Sequence, residues 1–214
     1  MALSYAIRQI ESSSHTRITN YGEYLERFPP TCEVEISENT AWSCAHGIER
    51  WRSNCGCCVT HVPGWNQEWR VALRSSLDWL EQELSCRFLQ SARDYLKDPW
   101  KAQNDYIEVI LDRSPQSVEL FLDRHALRPL DHDAKVKVLR LLEMQRHTML
   151  MFTSCGWFFD DISGIEAVQN LCYAARAAQL AEQVFGNCFE DGLAERLQHA
   201  RSNIREQLNG QQIY

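Results

Sequence analysis

The chain has 214 residues, 44% of them hydrophobic, which is ample for a sizeable core. A formal charge of -7, with no run of Lys or Arg longer than two, excludes a nucleic-acid surface, because phosphate binding needs clustered cations. No stretch approaches the roughly 18 apolar residues of a membrane span and no signal-cleavage pattern is visible, so no membrane partner and a cytoplasmic location are expected.

In chain order, Leu3, Ala6, Ile7 and Ile10 give an amphipathic first helix that begins almost at Met1. A short β-prone run at Arg17–Thr19 follows, then a short helix from Asn20 that is stopped by Pro29 and Pro30. Glu33–Ile36 alternates as a half-buried strand should. Helix, strand, helix, strand is the grammar of an α/β unit, so residues 1–37 are expected to be α/β. The chain starts and ends within patterned sequence, and the expectation is that it is a piece of something longer.

Beyond Asn66 only helical patterns occur. Trp69, Leu73, Leu77, Leu80, Leu84 and Phe88 form one stripe along about six turns. Asp98-Pro99 and Ser114-Pro115 each pair an N-cap with proline at the first helical position and so start two further helices. A long helix is expected from about Asp133 to a stop at Gly156. Ser163 and Glu166 read as a capping box opening the next, which ends at Phe185-Gly186. A last helix is expected from Glu190 to about Arg205. The fold class is therefore mainly α, a helical bundle over residues 66–214 preceded by a short α/β segment.

Two aromatic, glycine-containing interruptions break the pattern. The first is the cysteine-rich loop of residues 38–65, with ENTAWSCAHGIERWRSNCGCC at its start; the second is MFTSCGWFFDDISGIE, residues 151–166. Trp42, His46, Trp51, Trp157, Phe158, Asp160 and Asp161 supply the mixture a sugar site uses, with aromatic faces for ring C–H groups and polar groups for hydroxyls. The competing reading is that the aromatics plug the end of the bundle and the acids cap a helix.

The nine cysteines are odd in number, in a long chain without an export signal, and read as thiols rather than a disulfide scaffold. Cys44, His46, Cys55 and Cys57 could close a tetrahedron around zinc, although only one residue separates the members of each pair, where familiar knuckles use two or more. Free thiols with no cofactor, and a zinc site, both stand as readings. A cysteine nucleophile would need a thiolate beside a base and an oxyanion hole, and no such motif surrounds any of the nine.

The runs TNYGEYLERFPP, EVEI, ENTAWSCAHGIERWRSNCGC, GWNQEWR, LLEMQRH and TSCGWFFDDISGIE, in that order, resemble the C-terminal part of glycoside hydrolase family 57-like proteins, in which the region after the barrel is a domain of unknown function. The resemblance implies an irregular (β/α) barrel, of which residues 1–37 would be the last elements, followed by a helical domain leaning over its mouth. It further implies retaining chemistry on α-glucans by a Glu nucleophile and an Asp acid/base about 5 Å apart, both upstream of this chain. On that reading no catalytic residue lies here, and an α-glucan or oligosaccharide is bound through the full-length protein. The two loops would line the cleft with Trp42, His46, Trp157 and Asp160. A severed barrel edge and the stripe of Leu3, Ile7 and Ile10 would then invite self-association. The alternative from another class is a metal-stabilised helical binding module with no role in sugar chemistry.

Overall fold

The structure, a computed structural model, describes residues 2–214; Met1, where the first helix is expected to begin, lies outside them. The chain divides into two compact units, one ending at Glu38 and the other spanning Asn39–Tyr214.

The first unit holds α1 (Ala2–Ser12) and α2 (Tyr21–Arg27). Asn20 caps α2 by accepting from the Glu23 N–H at 2.9 Å, and Glu23 forms ion pairs with Arg17 and Arg27. Neither expected strand is present: residues 17–19 and 33–36 are irregular. A strand exists only as part of a ladder, and among the described residues neither segment has a pairing partner. None of the described residues of this unit is buried, and Leu3 remains 74% exposed.

The second unit is the bundle. It comprises α3 (Trp69–Ala92), α4 (Pro99–Asp105), α5 (Ile107–Leu111), α6 (Pro115–His125), α7 (His132–Leu150), α8 (Ile165–Phe185), α9 (Glu190–Leu197) and the short α10 (Gly210–Ile213). All six residues of the α3 stripe are buried. Asp98 accepts from the N–H groups of Trp100 and Lys101, and Ser114 from that of Ser117, so both proline-led helices start where their caps place them. Asp131 caps α7 through the Ala134 N–H, two residues before the expected start.

Two boundaries differ from expectation for identifiable reasons. The helix α7 stops at Leu150, not near Gly156, because Thr153 turns back and donates its N–H and hydroxyl to the Leu150 carbonyl. At the start of α8 no capping box forms. Ser163 gives its N–H and hydroxyl to Asp161 Oδ1, at 2.9 and 2.7 Å, leaving Gly164 as the N-cap. The last helix is shorter than expected; α9 ends at Leu197, and a 3₁₀ turn at Arg205–Gln207 follows.

The dominant pairing is α7 against α8, with α3 packed on both and on α9. Into the shared core α8 buries an alanine-rich set, Ala167, Ala174, Ala177, Ala178 and Ala181, and α7 the larger Val138, Leu141, Leu142 and Met144. Small side chains on one helix let large ones on the other interdigitate at interior density. No sheet accompanies the helices; among the described residues only isolated bridges occur.

Because Ala177 is fully buried in that core, Ala177→Leu should overpack it and cost about 1–3 kcal/mol in urea denaturation. Glu195→Leu, at an exposed position of α9, should be nearly neutral.

Candidate functional site

The two interruptions come together on the bundle. The loop of residues 39–65 carries one 3₁₀ turn, Glu49–Trp51, and the segment after α7 carries another, Ser154–Trp157. Arg50 donates to the Phe158 carbonyl at 3.1 Å and lies over its ring at 4.6 Å, while Trp51 Nε1 donates to the Ser154 carbonyl at 3.0 Å. Arg70, fully buried in the first turn of α3, donates to the carbonyls of Cys57 at 2.8 Å and Phe159 at 3.1 Å.

The acids that the sequence offered as sugar-binding groups are occupied within the protein. Asp160 accepts from the N–H groups of Val59 and Thr60 and from the Thr60 hydroxyl at 2.7 Å. Asp161 accepts from Ser163, from the Ser202 hydroxyl at 2.8 Å and from the Asn203 N–H. Burial pushes the Asp160 carboxyl up, but the bonds from Thr60 and Val59 and the Arg70 charge more than reverse this and hold it below the ordinary carboxylate range.

The aromatics divide by exposure. Trp157 is buried, stacked on Phe152 with centroids 6.4 Å apart, and its Nε1 donates to the Arg70 carbonyl. Trp51 and Phe158 are half-buried. Trp42 is 93% exposed, yet its ring sits 6.1 Å from that of Phe158. Beside these loops lies a cavity of about 370 Å³ bordered by Trp65, Phe159, Asp160 and Glu166.

The cysteines of the loop converge. Ligand-type atoms of Cys44, His46, Cys55 and Cys57 all lie within 4.8 Å of one another, so the cluster could hold a metal ion. Two glycines make this possible despite the short spacing. Gly47, at φ +72°, reverses the chain after His46, where a Cβ would meet the Asn39 carbonyl at 2.3 Å. Gly56, at φ +78°, lets the cysteines on either side of it point the same way. Burial pushes the Cys44 thiol up, and bonds from the backbone of His46 and Arg50 and from the His46 and Cys57 side chains bring it down to about 7. Cys58 stands outside the cluster, 3.2 Å from His61 Nδ1, and Cys155 is exposed and not among its members.

Sequence reasoning missed Arg50, Arg70 and Asn203. Arginine on a loop or helix is ordinarily a surface residue, and nothing in ERW or EWR announces burial. It also missed a cavity of about 570 Å³ on another part of the bundle between Tyr106, Arg113, Arg140, Glu143, His147 and Arg176. There Glu143 accepts from Tyr106 at 2.9 Å and Arg113 at 3.0 Å.

Since Asp160 satisfies two backbone N–H groups of the loop, Asp160→Ala should cost about 3 kcal/mol at pH 7. Its folded pKa is depressed, so this contribution is present above the unfolded value of about 3.9 and lost as pH falls through the folded one. Urea titrations of parent and variant should therefore converge as the pH is taken below about 4.

No curated protein and no solved structure matches this chain. A family model described as a domain of unknown function, DUF3536, matches residues 65–214, from the end of the loop through the whole bundle. Its description carries no activity. That match covers well over half of the chain, which therefore belongs to the DUF3536 family.

Proposed function

We propose that the chain is the non-catalytic, substrate-cleft part of a family 57-like glycoside hydrolase or α-glucan transferase, with its two loops presenting an aromatic platform to the sugar. The resemblance of the sequence motifs supports the enzyme class. The observation that carries the role is Trp42, held in water and backed by Phe158. An indole face left exposed but braced by a second ring is what ring C–H stacking requires, and bracing reduces the side-chain entropy lost on binding. Phe158 serves as its support. Trp51 and Asp160 act by holding the two loops together, and Trp157 and Asp161 by fixing the second loop to α3 and to the segment after α9, while the cavity beside Trp65 and Phe159 gives a chain of sugars a place to continue. Residues 1–37 would be the end of the barrel, and the exposed Leu3, Ile7 and Ile10 would be covered by it, or in this chain alone by a second copy.

No turnover is expected from this chain. Asp160 and Asp161 are fully engaged as acceptors for backbone and hydroxyl donors, so neither is free to serve as nucleophile or proton donor. A second reading, a metal-stabilised helical binding module without sugar chemistry, draws on the convergence of Cys44, His46, Cys55 and Cys57, for which zinc is the ion of matching chemistry.

Calorimetry with maltooligosaccharides tests the first reading. Trp42→Ala should weaken binding about tenfold, equivalent to about 1.4 kcal/mol, while Trp100→Ala, removing a part-exposed indole on α4, should leave it unchanged. Binding indifferent to Trp42 would remove the platform. Hydrolysis by the purified chain, abolished by Asp160→Asn or Asp161→Asn, would move the catalytic pair into it.

A further inference from the structure

We propose that Cys44, His46, Cys55 and Cys57 form a closed Cys₃His zinc centre whose net negative charge balances the buried arginines and which cross-links two arms of the loop of residues 39–65. The inference stands apart from the carbohydrate reading, whereas the binding-module reading requires it.

Geometry is the first support. A tetrahedral zinc with bonds of about 2.3 Å to sulfur and 2.05 Å to nitrogen sets S···S edges near 3.8 Å and S···N edges near 3.6 Å. Here Cys44 Sγ is 3.9 Å from Cys55 Sγ and 3.7 Å from Cys57 Sγ. His46 Nδ1 is 3.9 Å from Cys44 Sγ and 3.5 Å from Cys57 Sγ. The sulfurs are far beyond the roughly 2.05 Å of a disulfide. His46 would ligate through Nδ1, leaving the proton on Nε2. With four protein ligands no position is left open, so the ion is structural, and a thiolate-rich tetrahedron selects zinc over harder cations.

Charge is the second. Arg50 is 4% exposed and Arg70 fully buried, and the two repel each other. Arg70 faces the Asp160 carboxylate and the sulfurs of Cys55 and Cys57. Both arginines keep a buried Nε without a hydrogen-bond partner. Two guanidinium charges against one carboxylate leave one positive charge uncompensated in a dry environment, which is costly. Zn²⁺ with three thiolates and a neutral imidazole carries one negative charge and closes that balance.

The third is the thinness of the loop itself. Across residues 39–65 only Cys44 and Arg50 are buried, and regular structure is limited to one 3₁₀ turn. Such a segment has too little apolar burial to offset its ordering entropy, and metal binding then supplies folding free energy directly.

The experiment is metal analysis of the chain purified without added metal, with cobalt exchange as a second readout. About one zinc per chain is expected, falling at least tenfold in Cys44→Ser and Cys57→Ser but retained in Cys58→Ser and Cys155→Ser. Cobalt should give thiolate charge-transfer absorption and the intense visible bands of a tetrahedral site in the unmutated chain, a result that stands even if the variants fold poorly. Removing the ion with a chelator should open residues 39–65 to limited proteolysis while α3 to α9 stay protected. A metal-free chain with four titratable thiols in an ordered loop would overturn the proposal. So would a disulfide among Cys44, Cys55 and Cys57, or zinc that survives Cys44→Ser. Maltooligosaccharide binding measured on the same preparations reports on the carbohydrate reading independently.

Discussion

Everything distinctive about the second unit depends on where Arg70 puts its charge. The residue belongs to the first turn of α3, one position from the head of the core stripe, and it points away from that core into the gap between the two loops. From there it holds a carbonyl of each, at Cys57 and at Phe159. Arg50 repeats the arrangement from the loop side, reaching the Phe158 carbonyl. The two irregular segments are thus fixed to the helices and to each other by charge-assisted bonds from guanidinium groups to backbone oxygens. The cost is two buried cations, and the rest of the site can be understood as compensation for them.

Asp160 is the nearest part of that compensation, and it does two jobs at once. Its oxygens satisfy the Val59 and Thr60 N–H groups, and its charge faces Arg70. Asp161, next in sequence, points the other way, to Ser202 and Asn203, and so ties the segment that follows α9 to the start of α8. Adjacent acids that look like a catalytic or sugar-binding pair are two anchors facing different parts of the chain. Asn203 completes the lattice by donating to the carbonyls of Asn66 and Asp160.

The helices were legible in the sequence because their determinants are local. The six apolar positions of α3 follow the helical repeat, and Asp98, Ser114 and the prolines after them mark starts that depend on a few neighbouring atoms. The misreadings occur where a distant group competes for a local one. Ser163 could cap α8, but its N–H and hydroxyl turn back to Asp161, and Glu33–Ile36 alternates like a strand without a partner strand among the described residues. Family resemblance named a class of enzyme for the chain, whereas the family match over residues 65–214 identifies a domain without naming an activity. Trp42 and Trp157 looked equivalent in composition, and only the fold separates an exposed indole from one stacked on Phe152.

The cysteine cluster shows the same limit from another side. Spacing rules for metal knuckles assume that two or more residues are needed to turn the chain between ligands, and by that rule Cys44-x-His46 and Cys55-x-Cys57 are too short. Glycine relaxes the rule. At φ +78° Gly56 lets its two neighbours converge with a single residue between them, and Gly47 turns the chain directly after His46. The pairs are then brought together by a loop whose course is set elsewhere, by Arg50 on one arm and Arg70 on the other. A side chain at position 56 would be strained by its backbone conformation even though the space around it is open. What makes the cluster is therefore the combination of backbone freedom at two glycines with cationic tethers that hold the loop ends, and neither is visible in the order of the cysteines alone.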